Sequence, residues 1–359
     1  MYCDFYSIAN REEVIPRFVK AIITEIKRCE VDTSNWKIDT IFLGGGTPSL
    51  LESKYIESIL KSIQTKYDLS SVTEFTLEAN PGEASRDRLK EFRNLGINRL
   101  SMGVQSLEPD LLKFLTRIHS VEQVFETYDN ARSIGFDNVN FDLIYSIPGQ
   151  TWEVWERDIN RIIDLQPNHI SAYTLTLEKG TDLFKLVVDK KVRMPENEIT
   201  GEWFLKTHQL MESKGYPSYE ISNFSQPGFE CRHNLHYWKI HPYLAFGPSA
   251  HGFDGTNRWN NSRSLDLFLQ QIESGNSPIS RTETLTEKDK LNELIGFGLR
   301  MNDGINLKKI PEIFQVQFGE NLKIIEKKWE GCIIKNENSI SLTKTGMVFG
   351  DAIGVDLML

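Results

Sequence analysis

Three polar residues occupy similar positions in successive segments that alternate between apolar and polar side chains. They are Glu78, Gln105 and Asp142. Because alternate residues of a strand point to opposite sides, each of them faces away from the apolar side of its segment. Covering helices need the apolar side, so the polar side chains should converge on the inner side. Buried carboxylates are costly unless they are paired or bound, so we expect a polar ligand there. Positions at solvated strand ends are the alternative.

A glycine run precedes these three segments. Gly44–Pro48 follows the strand-like segment Ile41–Leu43 directly, and glycine lets a ligand approach the backbone closely. The run lacks both the Lys-Ser/Thr ending of a phosphate loop and the spacing of a dinucleotide fingerprint. A glycine run alone often marks only a tight turn. Its importance lies in its position, at the same end of the predicted sheet as the polar side chains.

Histidine is concentrated in one part of the chain. Four of the seven histidines lie within 19 residues, at positions 233, 236, 241 and 251. Neutral imidazole is a common ligand of zinc and of haem iron. The spacing does not match a closed zinc site, and Cys231 is the one cysteine nearby. Tyr237 and Trp238 add flat aromatic surface that a porphyrin could use, although structural histidines and core aromatics are the alternative.

The scaffold that must position these residues is predicted to be α/β. Five strand-like segments, near residues 41–43, 74–78, 99–105, 139–144 and 169–177, alternate with amphipathic helices. This order indicates parallel strands joined by right-handed crossovers. A helix with apolar residues from Ile15 to Ile26 comes first, with no strand ahead of it. We predict an incomplete parallel (β/α) barrel over residues 1–254, with the histidine-rich segment 231–252 inside it.

The remainder of the chain predicts two further parts. Residues 255–285 are rich in Asn, Ser and Gly, and we predict a linker there. Residues 286–359 show a helical pattern followed by two short apolar runs around a polar Asn336–Asn338 turn. This outline predicts a small winged-helix-like α+β domain at the C-terminus.

Composition excludes several classes of protein. The 359 residues include 41 Lys and Arg against 50 Asp and Glu, which gives a net charge of −9. An acidic chain is a poor candidate for binding nucleic acid. No apolar run approaches the ~18 to 20 residues of a membrane span, and the N-terminus does not resemble a secretory signal. We expect a cytoplasmic protein whose four cysteines form no disulfides.

Several ordered motifs resemble those of one family. They are Tyr2–Ser7, Gly44–Ser49, Leu77–Pro81, Leu100–Ser106, Asp142–Tyr145 and His233–Trp238. Together they resemble the radical S-adenosylmethionine family of oxygen-independent coproporphyrinogen oxidases and, within it, the HemW-type haem chaperones. The resemblance runs essentially from end to end and includes the winged-helix-like tail. It implies a barrel of the radical S-adenosylmethionine type.

The resemblance also implies cofactors and the residues that hold them. Cys3 would be the last cysteine of a CxxxCxxC loop that holds a [4Fe–4S] cluster. His233 would bind haem, with the porphyrin docked elsewhere on the molecule than S-adenosylmethionine. The residues that would contact S-adenosylmethionine are Gly45, Gly46, Thr47, Glu78, Gln105, Arg117 and Asp142.

Two departures from the family pattern matter. The other two cysteines of the loop would fall before Met1, so we expect that this chain alone does not complete the cluster. We interpret this as a late start or a truncated coding region, with a cluster-free variant as the alternative. Where the oxidases, by resemblance, carry a further cysteine, this chain has Phe5. Phe5, together with His233, Asn234 and Tyr237, favours the chaperone branch.

Three functions remain open at this point. The first is a haem chaperone that passes haem to acceptor haem proteins, as a monomer or a homodimer. The second is an enzyme, a coproporphyrinogen III oxidase that makes protoporphyrinogen IX. The third is a structural relic that has lost its cofactors. The sequence identifies no catalytic residue, and it leaves open whether the protein is an enzyme.

Overall fold

A computed structural model describes residues 2, 4, 6–8 and 10–359. The strands are β1 Thr40–Leu43, β2 Glu74–Ala79, β3 Arg99–Gln105, β4 Asn138–Tyr145, β5 His169–Thr174, β6 Asn223–Ser225, β7 His251–Phe253, β8 Asn257–Asn261, β9 Ile279–Thr284, β10 Ile305–Asn306, β11 Ile333–Lys335 and β12 Ser339–Leu342. The helices are α1 Ile15–Arg28, α2 Ser53–Lys66, α3 Arg86–Asn94, α4 Pro109–Phe114, α5 Val121–Ser133, α6 Trp152–Asp164, α7 Asp182–Val188, α8 Asn197–Ser213, α9 Arg232–Trp238, α10 Leu265–Glu273, α11 Glu287–Gly298, α12 Glu312–Lys328, α13 Lys344–Val348 and α14 Gly350–Leu357.

The central sheet has six strands in the order β1-β2-β3-β4-β5-β6. Strands β1 to β5 run parallel, and β6 is antiparallel to β5. Among the residues that the structure describes, β1 and β6 are not paired with each other, so the sheet stays open. The predicted α/β class and the succession of parallel strands are confirmed. β6 is an addition that the sequence pattern did not reveal, because it is only three residues long.

The largest apolar core lies between the sheet and the helices on its outer face. Leu77, Leu100, Val139 and Ile170 come from four neighbouring strands and are fully buried, as is Trp155 of α6. The alternation in the strands therefore places apolar side chains toward the helices, as predicted. It leaves the opposite face of the sheet to polar residues.

The segment 255–285 is not a simple linker. It contains β8, α10 and β9, and β7-β8-β9 form a second, antiparallel sheet. Phe268 and Ile272 of α10 are buried against Ile22 and Ile26 of α1. The linker prediction is wrong because polar residues in this segment form hydrogen bonds between strands. The side chain of Asn260 in β8 donates to Ser280 Oγ in β9 at 2.8 Å. β9 is exposed along its length, so its polar composition resembles that of a loop.

The C-terminal region has a core of its own. Leu291 and Ile295 of α11 pack with Phe318 of α12 and with Ile340 and Leu342 of β12. The strands β10, β12 and β11 form a small antiparallel sheet, in which β11 and β12 are the predicted hairpin. Helices and a hairpin around one core agree with the winged-helix-like outline.

Within the described part of the chain, no helix combines the length and the apolar character that crossing a membrane requires.

Candidate functional site

A cavity of about 1520 Å³ lies along the inner, polar face of the central sheet. Pockets for single ligands commonly measure roughly 300–1,000 Å³. This cavity is therefore large enough for more than one ligand. Each of the eight described residues predicted to contact a cofactor lines it: Gly45, Gly46, Thr47, Glu78, Gln105, Arg117, Asp142 and His233.

The glycine run forms part of one end of the cavity, at the carboxyl end of β1. The backbone N–H of Gly45 donates to Glu78 Oε2 at 2.9 Å. Gly45 has a φ of 121°, a conformation that side-chain-bearing residues rarely adopt, and a Cβ there would meet no atom within 4 Å. This backbone is therefore open toward the cavity and anchored by Glu78.

Arg117 reaches the same end through another glycine. Its Nη2 donates to the Gly103 carbonyl oxygen at 2.9 Å and also to Asn80 Oδ1. A Cβ on Gly103 would lie 3.0 Å from Gln105 Nε2 and 3.2 Å from Arg117 Nη2. Gly103 thus leaves space for two long polar side chains. Gln105 itself has a φ of 67°, at an irregularity in the pairing of β3 with β4.

Two carboxyl groups lie on the inner face close to this end. Asp142 accepts hydrogen bonds from Ser101 Oγ at 3.0 Å and from Asn140 Nδ2 at 2.9 Å. Burial raises the pKa of Asp142 above its ordinary value, and these hydrogen bonds oppose the rise. Burial, reinforced by the nearby charge of Asp142, raises the pKa of Glu78 to about 7. Such groups suit a ligand that supplies hydrogen-bond donors or positive charge.

His233 lies on the wall of the same cavity, on α9. Its ring stacks on Phe42 with 4.9 Å between the ring centroids. Nδ1 is 2.9 Å from Thr40 Oγ1, and Nε2 is 2.9 Å from the hydroxyl of Tyr237. Burial lowers the pKa of His233 to about 4, and the charges of His236 and Arg99 act in the same direction. The imidazole is therefore neutral at neutral pH.

The helix that carries His233 is held by a buried carboxylate. Glu74, the first residue of β2, is 4% exposed and accepts hydrogen bonds from the backbone N–H groups of Arg232, at 2.9 Å, and His233, at 3.0 Å. Asp39 adds a second anchor, since Arg232 Nη2 and His236 Nε2 lie 2.9 and 2.7 Å from its two oxygens. Acidic residues just before β1 and at the beginning of β2 thus hold α9 against the sheet.

The histidine cluster seen in the sequence separates in the structure. Only His233, of the four, lines the cavity. His236 turns to Asp39, and its Nδ1 lies 2.9 Å from Nδ1 of His241. His251 is exposed on β7. Among the described residues, no group of three or more His, Cys, Asp or Glu side chains could hold a metal ion.

Two expectations about placement stay predictions. The first is that the porphyrin docks elsewhere on the molecule than S-adenosylmethionine; the structure shows His233 on the wall of the same cavity as the residues predicted for S-adenosylmethionine. The cause is that α9 packs alongside β1, which no local sequence pattern specifies. The cluster ligand predicted at Cys3 lies outside the described residues.

Several polar residues that form the cavity and its support were not predicted from the sequence. Thr40, Glu74, Arg99 and Arg300 belong to this group. A signal for Glu74 was present, since Glu74, Thr76 and Glu78 alternate along one side of β2. Arg300 follows α11 and reaches the cavity from a distant part of the chain, so no local pattern could have indicated it.

The described residues fit S-adenosylmethionine. The cofactor combines a sulfonium cation, a ribose and an amino-acid group. The cavity offers the carboxyl groups of Glu78 and Asp142, the open backbone at Gly45 and the guanidinium of Arg117. The side-chain-free position at Gly103 leaves room for the polar groups around it.

Comparison with family models finds two matches. The Radical SAM superfamily matches residues 1–162, and the HemN C-terminal domain matches residues 285–349. The second range corresponds closely to the C-terminal core described above, although it ends before α14.

Known relatives match almost the whole chain. Heme chaperone HemW of Bacillus subtilis (strain 168) is 33% identical over 98% of this chain and 94% of its own. The mitochondrial radical S-adenosyl methionine domain-containing protein 1 of Danio rerio is 33% identical over 100% of this chain and 84% of its own. The solved structure of coproporphyrinogen III oxidase (HemN) from Escherichia coli has a TM-score of 0.83 over 99% of this chain and 86% of its own. Its 22% identity supports a common fold alone. The chain belongs to the HemW family of the radical S-adenosylmethionine superfamily.

Proposed function

We propose that this protein is a haem chaperone that binds haem through His233 and passes it to an acceptor haem protein. The relatives named as haem chaperones support this choice of function. The observation that carries it is the neutral, half-buried imidazole of His233 on the wall of a cavity with room for a large ligand. Iron requires the lone pair of a neutral imidazole nitrogen.

The hydrogen bonds of His233 suit a metal ligand. With its proton on Nδ1, the ring donates to Thr40 Oγ1 and accepts from the Tyr237 hydroxyl at Nε2. A ligating histidine commonly has its second nitrogen fixed in this way by a hydrogen-bond partner. Nε2 would exchange the Tyr237 hydroxyl for iron, while Thr40 keeps the ring in place.

The surroundings of His233 also suit a flat aromatic ligand. Phe42 stacks on the imidazole, and Tyr237 meets it edge-on with 5.1 Å between centroids. Tyr243 continues this aromatic surface, 4.7 Å from Tyr237. Aromatic side chains provide large contact areas with specific stacking geometry. Phe42 and Tyr237, which line the cavity, would contact the porphyrin ring, while His233 would hold its iron.

The other end of the cavity would hold S-adenosylmethionine, which supplies radical chemistry when it is bound to a reduced [4Fe–4S] cluster. Glu78 and Asp142 would bind its polar groups, Gly45 and Gly46 would contact it through the backbone, and Arg117 would pair with its carboxylate. Gln105 and Thr47 complete the set taken from the resemblance. Cys3 would be a cluster ligand.

A haem titration tests the proposal. We expect haem to bind wild-type protein with the Soret spectrum of a histidine-ligated iron, and His233→Ala to weaken binding by about tenfold or more, which corresponds to about 1.4 kcal/mol. His236→Ala is the matched control, because His236 lies on the same helix but faces Asp39. Equal affinity and unchanged spectra in His233→Ala would remove His233 as the ligand. Anaerobic turnover of coproporphyrinogen III would instead make the protein an oxidase.

A further inference from the structure

Arg99 is a buried cation that lacks a direct partner among the residues that the structure describes. Its side chain lines the cavity although the residue is only 2% exposed. Nε has no hydrogen-bond partner, and no described carboxylate forms an ion pair with the guanidinium. Burial opposes the charge of Arg99, but nearby groups that include Glu74 and Asp142 outweigh it and raise the pKa of the guanidinium. Both carboxylates accept hydrogen bonds from other donors. Arg99 therefore stays charged while its buried Nε–H donor lacks a direct acceptor, and a buried donor without an acceptor is costly.

Arg99 lies at the same end of the sheet as the partners of His233. Thr40, Glu74 and Arg99 are the first residues of β1, β2 and β3, which are parallel neighbours. Gln105, at the opposite end of β3, is six residues further on, or roughly 20 Å along the strand. Arg99 therefore lies toward the His233 end, where its charge acts on the imidazole, although Glu78 and Asp142 are also within reach of that charge.

A second guanidinium lines the cavity from the C-terminal part of the chain. Arg300 is stacked over Trp238, the last residue of α9, with its Cζ 4.7 Å from the ring centroid. Its Nη2 is 3.8 Å from Glu220 Oε2, a loose ion pair, and its Nε has no partner. Arg300 thus lies beside α9, the helix that carries His233, and its guanidinium has N–H groups free to donate to a ligand.

We propose that Arg99 and Arg300 form a carboxylate-binding subsite that holds the acidic side arms of the porphyrin whose iron His233 binds. The subsite rests on the proposed function, because haem is the ligand that would bring both an iron and carboxylates into this cavity. Guanidinium groups bind carboxylates in a planar, two-pronged geometry, and they do so most strongly away from water. The subsite would select free-acid porphyrins and set their orientation.

The first test changes the ligand and leaves the protein untouched. Haem is compared with its dimethyl ester, which has the same ring and iron but no anionic carboxylates, by Soret titration of the wild-type protein. We expect the ester to bind about ten- to a hundredfold more weakly, the range for lost charge-assisted hydrogen bonds. If haem binds and its affinity depends on His233 but the ester binds equally well, the subsite is wrong and the chaperone proposal stands. If haem itself binds independently of His233, the haem-ligand assignment fails first.

The second test changes Arg300, which is partly exposed and therefore suited to substitution. Arg300→Gln should weaken haem binding about tenfold, leave the ester affinity nearly unchanged and preserve the histidine-ligated spectrum. Arg99→Lys should reduce the same preference, because lysine keeps the charge but lacks the planar fork. Arg281→Gln is the control, since Arg281 is an exposed residue of β9 outside the cavity. Equal losses for haem and ester in Arg300→Gln would overturn the subsite.

Discussion

The two ends of the cavity are built differently. The end at Gly45, Gln105 and Arg117 is made where strands finish, from open backbone and long side chains that reach inward. The end at His233 is made where strands begin, from a short helix held by Glu74 and Asp39. The first end keeps buried carboxyl groups with raised pKa values, while the second holds a neutral imidazole in place.

This difference indicates what each end is organised to do. Groups whose charge is poorly compensated, such as Glu78 and Asp142, gain by binding a ligand with donors or positive charge. A histidine with both nitrogens hydrogen-bonded gains little by moving, so its surroundings fix the direction in which it can bind a metal. The end with Glu78 and Asp142 is therefore the electrostatic end of the cavity, where charge favours a ligand. The end with His233 is the geometric end, where hydrogen bonds fix the orientation of a side chain.

The most severe test of this comparison is Glu74→Gln. The amide keeps one acceptor oxygen but places an NH2 group against one of the two N–H groups at the start of α9. Because the site is buried, we expect the free energy of unfolding to fall by about 2–3 kcal/mol in urea denaturation. Glu91→Gln, at an exposed position of α3, should change it by no more than about 0.5 kcal/mol. Equal small effects would show that Glu74 does not secure the helix.

The strand-end site was predictable from the sequence because it depends on local periodicity. Alternation within single strands places Glu78 and Asp142 on the inner face, and parallel strands bring their carboxyl ends together. Ser120 and Gln123 form a capping box at the start of α5, another feature that depends on residues close together in the sequence. Such features need no knowledge of distant contacts.

The His233 end was not predictable in the same way, since its contacts join distant parts of the chain. Glu74 and His233 are 159 positions apart, and Thr40 and His233 are 193 apart. Four neighbouring histidines looked like one group, yet the helix turns His236 away from the cavity and toward Asp39. Local composition also failed at residues 255–285, where polar strands resembled a linker.

The electrostatic half of the comparison is tested by Glu78→Gln. Glu78 has a native pKa of about 7, above its ordinary value of 4.5. Between these values the native state holds the proton more tightly than the unfolded state, so the contribution of Glu78 to stability is present below about pH 4.5 and lost as pH rises through 7. Glutamine can still accept from the Gly45 N–H but does not titrate.

Urea denaturation across pH 4.5–8 measures this effect. We expect the free energy of unfolding of Glu78→Gln to fall less steeply with rising pH than that of wild type. At pH 8 the variant should be more stable than wild type by on the order of 1–2 kcal/mol. Glu57→Gln, which alters an exposed pair with Lys61 on α2, should follow the wild-type curve. If the free energies of unfolding of Glu78→Gln and wild type changed with pH in parallel, the raised pKa of Glu78 would be contradicted. The importance of charge at this end of the cavity would be contradicted with it.

The smallest expected effect compares the same substitution at both ends. Thr40→Val preserves the shape of the side chain but removes the oxygen that contacts His233 Nδ1. Nδ1 then lacks a hydrogen-bond partner, and we expect the free energy of unfolding to fall by about 1 kcal/mol. Thr47→Val removes a longer hydrogen bond, 3.3 Å from Asn80 Nδ2, and that amide still donates to Glu83. We expect a loss of less than about 0.5 kcal/mol there. The denaturation midpoints of the two variants, measured side by side, compare these losses of stability. An equal loss at both ends would mean that His233 is held no more firmly than the glycine-rich end. The distinction between a geometric and an electrostatic end would then be wrong.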